Sequence, residues 1–492
     1  MKFTFREITK LPSLAWCARV NVNNNIVTIL HGPGVEIHDS WFYEGAWDGP
    51  ADSPGFVTSS YFSGTGACLI DGGVEFVSPS HPFRGLVISK FDHGYIVSNS
   101  LIFVMAQIDD EPDINDMEYY QHLFNYSQAG FVEKISPIIL AKGGKIGLHY
   151  YCNLQIVNGS LNKTKKINPE PPKNFDDYQT RIIDKLTRIR ENANDPSRVK
   201  IKYNPIVPLS RGYDSVACAA LAAQAGWKKS FTIVRLNPDE GDAFNDDDGT
   251  PIAECLGLSI DKLSVNAWKE LENCPEAEFT ATAWSGVLVR FSAIEKDLCN
   301  SLLVLGIPGG LIWNPKNEKV TDTWKRPKKI QMGAESLWEF SLRVGVITIY
   351  PVTFMAVHSK NFHDIMSPDE MLPWTLGGEY DKPIARRIAE SAGVPRELFG
   401  QKKMASAHIY PKETASINGY RNFIQYLHKI GKFEQFITKT ADVEKDKNHV
   451  YVTVNFDKSE EDSVTLDLQD VRRYFFHWGV KKLLPRYRIT RK

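Results

Sequence analysis

Ser210, Arg211, Gly212, Tyr213, Asp214 and Ser215 follow the apolar run Ile206–Leu209 and precede the Ala-rich stretch Val216–Gly226. Read as strand, tight loop and helix, this order turns the unsatisfied backbone N–H groups of a helix's first turn toward the loop. The helix dipole adds partial positive charge there, so the place suits an anion such as phosphate. Gly212 lets a backbone approach closely. Ser210 and Ser215 add hydroxyl donors, and Asp214 offers a carboxylate to a cation that bridges phosphates. The same six residues also suit an ordinary strand-to-helix turn capped by Asp and Ser.

Two basic stretches stand further along. The polar segment 314–329 carries Lys316, Lys319, Lys325, Arg326, Lys328 and Lys329. It reads either as a solvated surface loop or as a lid that contacts phosphate. Lys402 and Lys403 form a pair that is either solvated, as lysines mostly are, or turned to an anion. Three consecutive acids, Asp246, Asp247 and Asp248, read as a polar turn before a helix and as a reserve of metal ligands. Other chemistries lack their residues: the chain has no His-Glu-x-x-His and no Gly-x-Ser-x-Gly, so neither a zinc hydrolase site nor a nucleophile elbow is expected.

The elements around the loop follow from periodicity. From Met1 to about Asn158, short alternating runs such as Ile26–Leu30, Gly85–Ser89 and Gly94–Ser98 predict half-buried antiparallel strands, with a helix near Met117–Ser127. The polar, basic and Pro-rich stretch Asn158–Lys173 reads as a linker. Asp176–Asn192 places Tyr178, Ile182, Leu186 and Ile189 on one face of a helix. From Val199 onward strands alternate with helices: Ile206–Leu209, the helix from Ser215, Ser230–Leu236, a helix around Thr250–Leu256, and the strand Ser301–Gly306. That alternation predicts a parallel α/β sheet, in which ligands bind outside the carboxyl ends of the strands. Ala334–Gly345 predicts a helix with Glu339 and Arg343 paired on its surface. In 374–403 a Gly-Gly turn precedes a helix closing on Gly393 and a second short helix. Val471–Tyr487 reads as a basic amphipathic docking helix.

Composition limits the class. The chain has 492 residues with 58 Lys plus Arg against 59 Asp plus Glu, so no net field favours nucleic acid or an anionic membrane. Seven scattered cysteines without a C-x-x-C, a polar N-terminus and no long apolar stretch fit a cytoplasmic protein with reduced thiols.

Ser210, Gly212, Asp214 and Ser215 match the Ser-Gly-Gly-x-Asp-Ser loop of the ATP pyrophosphatases, the PP-loop; Arg211 departs from its usual glycine. Together with the strand ending at Gly306 and the Lys402-Lys403 segment, this loop makes the chain resemble the asparagine synthetase superfamily. The resemblance is firmest over about 200–260 and 375–405, where Tyr380–Arg387 and Val394–Lys403 are similar to the family's late helices and their lysine. It implies an α/β chain with a β-rich, Ntn-like sandwich followed by a PP-loop domain of the adenine nucleotide alpha hydrolase type. The implied division is a degenerate glutaminase-like domain over 1–160, a linker over 161–175, a synthetase-like domain over 176–410 and a C-terminal helical extension over 411–492.

The resemblance also implies chemistry. ATP and Mg2+ would bind at the loop, with Ser210, Gly212 and Ser215 cradling phosphates, Arg211 among the cofactor-binding residues and Asp214 on magnesium. The backbone near Val234 would meet adenine, and Lys403 or Lys402 would act catalytically on the departing pyrophosphate. A carboxylate, from a small molecule or a peptide, would be activated as an acyl-adenylate and joined to an amine. Nucleic acid and membrane are not implied as partners; a homodimer is left open. Two departures bear on this. The family's glutaminase nucleophile is a cysteine following Met1, where this chain has Lys2; the nearest cysteine is Cys17. That favours a ligase without its own glutaminase activity over a glutamine-dependent asparagine synthetase. In Gly306-Ile-Pro-Gly-Gly310 the family's acid falls at or beside Gly310, which removes one magnesium ligand and keeps a catalytically degenerate nucleotide-binding or scaffold protein in contention.

Overall fold

The computed structural model describes residues 1–115, 137–234, 247–282, 288–313, 333–358, 361, 364–365, 369–378, 380–401, 416–435, 449–457 and 460–489, without the side chains of 417, 435 and 449–473. The helix expected near Met117–Ser127 and the basic stretch 314–329 lie outside these residues, as do Asp246, Lys402 and Lys403.

The N-terminal region is built from β1 (Lys2–Glu7), β2 (Trp16–Asn21), β3 (Ile26–His31), β4 (Glu36–Ile37), β5 (Trp41–Ala46), β6 (Ser63–Ile70), β7 (Gly73–Val77), β8 (Leu86–Phe91), β9 (Gly94–Ser98), β10 (Ile138–Ile139), β11 (Lys145–His149), β12 (Cys152–Val157) and β13 (Ser160–Lys165). One sheet runs β1-β3-β2-β9-β8-β11-β10 and the other β13-β12-β7-β6-β5-β4. Alternation along β3 buries Val27 and Ile29. These pack with Trp16, Val20 and Val97 against Phe42, Val74, Phe76 and Ile156 of the second sheet. Each sheet thus turns one apolar face to the other, as period-two patterns require. Helix α1 (Leu101–Ile108) follows β9, its first turn capped by Ser100, whose side chain accepts from the Phe103 N–H.

The linker expectation is corrected at its start. Residues 160–165 are strand β13, antiparallel to β12. Asn158 and Gly159 both have positive φ, 49° and 79°, the pattern of a two-residue hairpin turn. A polar, lysine-rich strand lies there because it is the sheet's edge, where charge is tolerated.

Helix α2 (Phe175–Ala193) buries Tyr178, Ile182, Leu186 and Ile189 as its spacing predicts, with Asn174 accepting from the Asp177 N–H at its start. Helix α3 (Tyr213–Gln224) packs against it. The second domain's strands are β14 (Asn204–Pro208), β15 (Lys229–Val234), β16 (Ser259–Ser264), β17 (Ser301–Val304) and β18 (Ile347–Ile349). Helix α4 (Thr250–Leu256) lies between β15 and β16, and α5 (Glu276–Thr280) between β16 and β17. The sheet order is β16-β15-β14-β17-β18, and every neighbouring pair is parallel. The chain is therefore mixed α/β, a largely antiparallel region, in which β1 pairs with β3 in parallel, followed by a parallel five-stranded sheet.

Helix α6 (Trp338–Val344) carries Glu339 and Arg343, but they do not form the expected surface pair. Glu339 is buried and accepts from Ser100 Oγ at 2.8 Å and Tyr487 Oη at 2.5 Å. Arg343 donates instead to Glu278 and Glu295. Spacing told that the two share a face; it did not tell that other elements cover that face. The C-terminal part is not purely helical. Beyond α7 (Pro383–Ser391) and α8 (Ile417–Lys429), β19 (His449–Asp457) and β20 (Glu460–Asp467) form an antiparallel hairpin before α9 (Leu468–Tyr487). Helix α9 docks on α1 and α5. Gly479 permits the approach to α5, since a Cβ there would lie 2.8 Å from the Ala277 carbonyl oxygen. Among the described residues no helix is long and apolar enough to cross a membrane. All seven cysteines are unpaired thiols.

Candidate anion site at the switch point

Strand β14 is the first of the parallel sheet and lies at its centre. The chain moves outward to β15 and β16 on one side, then returns to β17 and β18 on the other. The order reverses between β14 and β17, and the carboxyl ends of the strands at such a switch point are where sheets of this kind bind ligands. Ser210–Gly212 lies in the loop after β14; Leu305–Pro308 is the loop after β17, and Gly309 and Gly310 open the short helix Gly309–Ile312 that follows it. Ser210–Ser215 thus stand at the sheet's switch point. All but the ring of Tyr213 are partly exposed there.

The loop's own bonds define its shape. Ser215 Oγ accepts from the Ser210 N–H at 2.9 Å and donates to the Pro208 carbonyl at 3.1 Å. Ser210 Oγ accepts from the Gly212 N–H at 3.3 Å. Asp247 Oδ1 accepts from the Arg211 N–H at 2.8 Å, and burial pushes the Asp247 carboxyl up from its ordinary range. The Arg211 guanidinium turns back to the Leu398 carbonyl, Nε donating at 2.8 Å. Three loop N–H groups are therefore held by side chains of the protein itself. At the start of α3, Gly212 is the N-cap and makes no side-chain cap bond, and the Tyr380 hydroxyl is hydrogen-bonded to the backbone of Tyr213, the first residue of the helix. The first turn keeps the electropositive end of a twelve-residue helix at the switch point.

Asp214 lies in this first turn, between the two loops. Its carboxylate is gripped by Lys382, whose Nζ donates to Oδ1 and Oδ2 at 2.7 Å each. The lysine side chain is 6% exposed and the aspartate 27%. The second loop and the helix start after it are shaped around the aspartate. A Cβ at Gly306 would lie 2.7 Å from the Asp214 carbonyl oxygen, and one at Gly309 would lie 2.4 Å from Asp214 Cγ. Only glycine allows this contact.

Behind the pair is a rigid support. Arg386 of α7 bonds the Tyr213 hydroxyl and pairs with Asp381 at 2.9 Å; both charged side chains are almost wholly buried. Asp381 also accepts from the N–H groups of Leu376 and Gly377 at 2.7 and 2.8 Å. The Tyr213 ring lies 4.9 Å from Tyr380 and 5.8 Å from Phe399. Gly400, at φ 72°, donates to the Arg211 carbonyl at 2.8 Å. Its missing side chain makes room for that ring, because a Cβ would stand 2.4 Å from it.

The structure brings Ser210, Arg211, Gly212, Asp214 and Ser215 together and adds Lys382, which the sequence reading passed over. Pro383 at the helix start was a visible signal for the element. Nothing local tied its preceding lysine to a partner 168 residues away. Val234 ends β15 beside β14, and its carbonyl accepts from the Val265 N–H at 2.9 Å. The described chain stops at Gln401, directly after the Gly400 that bonds Arg211 and directly before Lys402 and Lys403. Cys17 is buried in β2, and burial pushes its thiol far up, so no thiolate nucleophile forms there. A cavity of 660 Å³ lined by Arg190, Asn204 and Lys228 opens at the opposite, amino-terminal edge of the sheet and touches none of these residues.

The donors at the loop do not fit a magnesium ion. Both Asp214 oxygens accept from an ammonium, Gly310 has no side chain to offer, and Asp247 turns to the Arg211 N–H. Among the described residues no group of three or more His, Cys, Asp or Glu side chains is arranged to hold a metal ion. No protein-family model matches the chain, and no curated protein matches it.

Proposed function

We propose that the chain is an ATP-dependent, AMP-forming amide-bond ligase of the asparagine synthetase type, which activates a carboxylate and draws no ammonia from glutamine of its own. The observation that supports this best is the meeting of the segments after β14 and β17 at the switch point, with the start of α3 and the Lys382–Asp214 pair between them. In this reading the first turn of α3 and the loop hydroxyls hold the phosphates. A substrate carboxylate oxygen attacks the α-phosphorus, the bond to the β-phosphate oxygen breaks, and pyrophosphate leaves with the electron pair. An amine nitrogen then attacks the acyl carbon and AMP departs. The protein's task is to stabilise the charge that gathers on the leaving pyrophosphate. Lys402 and Lys403 follow Gly400 in the chain and are assigned that role.

The N-terminal sandwich is read here as a degenerate, Ntn-like domain and the parallel sheet as a PP-loop domain. ATP–pyrophosphate exchange against pooled carboxylic acids tests the reading. Exchange that vanishes in Asp214→Ala supports the ligase.

One observation favours a second reading, a nucleotide-binding scaffold without turnover: Ser215, Ser210 and Asp247 already satisfy three N–H groups of the loop. ATP binding with no exchange for any acid would favour it. Failure to bind ATP would remove both readings.

A further inference from the structure

Gly309 and Gly310 adjoin in the chain but differ in cause. Gly309 must be glycine because Asp214 fills the space of its side chain. Gly310 is exposed, and a Cβ there would meet only ordinary contacts, 3.7 Å from Lys382 Nζ and 3.8 Å from Asp214 Oδ2. Its backbone does not lie in the left-handed region. Packing therefore does not demand a bare position 310. Among the described residues no side chain at position 310 covers the pair, whose exposure is mostly that of Asp214, 27% against 6% for Lys382.

A bare aspartate at this place would repel a polyphosphate. Lys382 cancels its charge. The ammonium has three N–H donors. Asp214 takes it on both oxygens, and no other acceptor among the described residues bonds it, its further contact being the Tyr380 ring at 5.5 Å. Asp381 and Pro383, on either side of Lys382, are themselves fixed by Arg386 and by the helix start, so the ammonium is held in place before a ligand arrives. Preorganised donors of this kind cost little reorganisation when an anion docks.

We infer that Lys382 is the cation of this site: held by Asp214, its ammonium contacts the phosphates of ATP or pyrophosphate directly, and polyphosphate binds without a divalent metal. The inference rests on the nucleotide reading above and assigns the charge within it. Asp214 is then a positioning residue for Lys382.

Calorimetric titration of the full chain with inorganic pyrophosphate and with ATP, in EDTA and in millimolar magnesium, tests this. The expected dissociation constants in the two buffers agree within about threefold, and Lys382→Met weakens binding about tenfold to a hundredfold, the loss of one charged hydrogen bond. Lys382→Arg keeps most of the affinity. Should Lys382→Met not fold, Gly310→Asp serves instead. It changes an exposed position and adds a carboxylate beside the ammonium. Binding in EDTA is expected to fall about tenfold, as one unfavourable charge contact beside the ammonium implies. Binding that needs magnesium overturns the inference and leaves the nucleotide reading standing. So does unchanged affinity in Lys382→Met or Gly310→Asp. Absence of binding in both buffers overturns the inference and the nucleotide reading together.

Discussion

Two acid–base pairs, one in each half of the molecule, look alike in type and differ in setting. In the sandwich, Glu44 pairs with Arg84, with side chains 0% and 6% exposed. Thr65 and Asn99 also donate to Glu44 Oε1. Burial still pushes the Glu44 carboxyl up, against the pull of Arg84, and Glu44 Oε2 and Arg84 Nε are buried without a hydrogen-bond partner. At the switch point, Asp214 keeps 27% of its side chain exposed against a lysine at 6%, and an exposed glycine stands over both. A pair with both side chains out of water ties strand β5 to the loop before β8 and has no room for a guest. A pair left open on one side still has chemistry to offer. The difference teaches that surroundings, rather than residue types, separate a pair committed to structure from the one proposed here to bind an anion.

The largest effect that could break this contrast is at Glu44. Glu44→Ala strands the buried Arg84 charge without its carboxylate, and removing one partner of a buried pair costs about 3–5 kcal/mol. Urea unfolding followed by circular dichroism measures it. A loss below about 1 kcal/mol, the range of surface pairs, would mean that the sandwich pair is no more committed than an exposed one.

A third acid extends the contrast to the boundary between the halves. Glu339 lies among Ser100 of the sandwich, Tyr487 of α9 and its own helix, and burial pushes its carboxyl up to about 7. The folded chain keeps this proton where the unfolded chain, near 4.5, gives it up. The carboxyl's contribution is therefore full below pH 4.5 and is lost as the pH rises through about 7. The span corresponds to on the order of 3 kcal/mol. Urea midpoints of wild type and Glu339→Gln at pH 5 and pH 8 read it out. The wild type should lose more stability than the variant between the two; parallel losses would show that the boundary acid titrates like an exposed one.

Much of this was legible in the chain, and the limits have physical causes. The loop could be read because its signal is local: small residues between an apolar run and an Ala-rich helix former. The parallel sheet could be read for the same reason, from strands and helices in alternation. The Asn158-Gly159 turn is also local, but the lysines and prolines after it read as a linker by composition, and only the sheet shows that their first residues form an edge strand. Lys382 and the covering of Glu339 were not legible. Helical spacing reports which residues share a face, and the tertiary fold decides what meets that face. The pairing of Lys382 with Asp214 joins two helix starts that no periodicity relates.

At the switch point the two glycines sharpen the comparison. Gly309→Ala puts a Cβ where Asp214 Cγ lies within 2.4 Å. Overpacking of this kind costs about 1–3 kcal/mol, and pyrophosphate binding should fail with it. Gly310→Ala meets only ordinary contacts, so its stability should stay within about 0.5 kcal/mol of wild type. Thermal melts of the two variants decide the matter; equal losses would mean that the open side of the pair is filled after all.

The most discriminating effect is a difference between the two partners of the pair at the switch point. Lys382→Met leaves behind an aspartate that is already partly hydrated, so its stability cost should stay within about 1 kcal/mol, as for a half-exposed pair. Asp214→Asn leaves behind a lysine that is almost wholly buried; that stranded ammonium should cost more, about 1–3 kcal/mol. In the sandwich no such asymmetry is expected, because Glu44 and Arg84 are both out of water. Unfolding free energies of the two single variants and of the double variant measure it. If Lys382→Met proves as costly as Asp214→Asn, the pair at the switch point is closed like the one in the sandwich, and its ammonium is not available to a ligand.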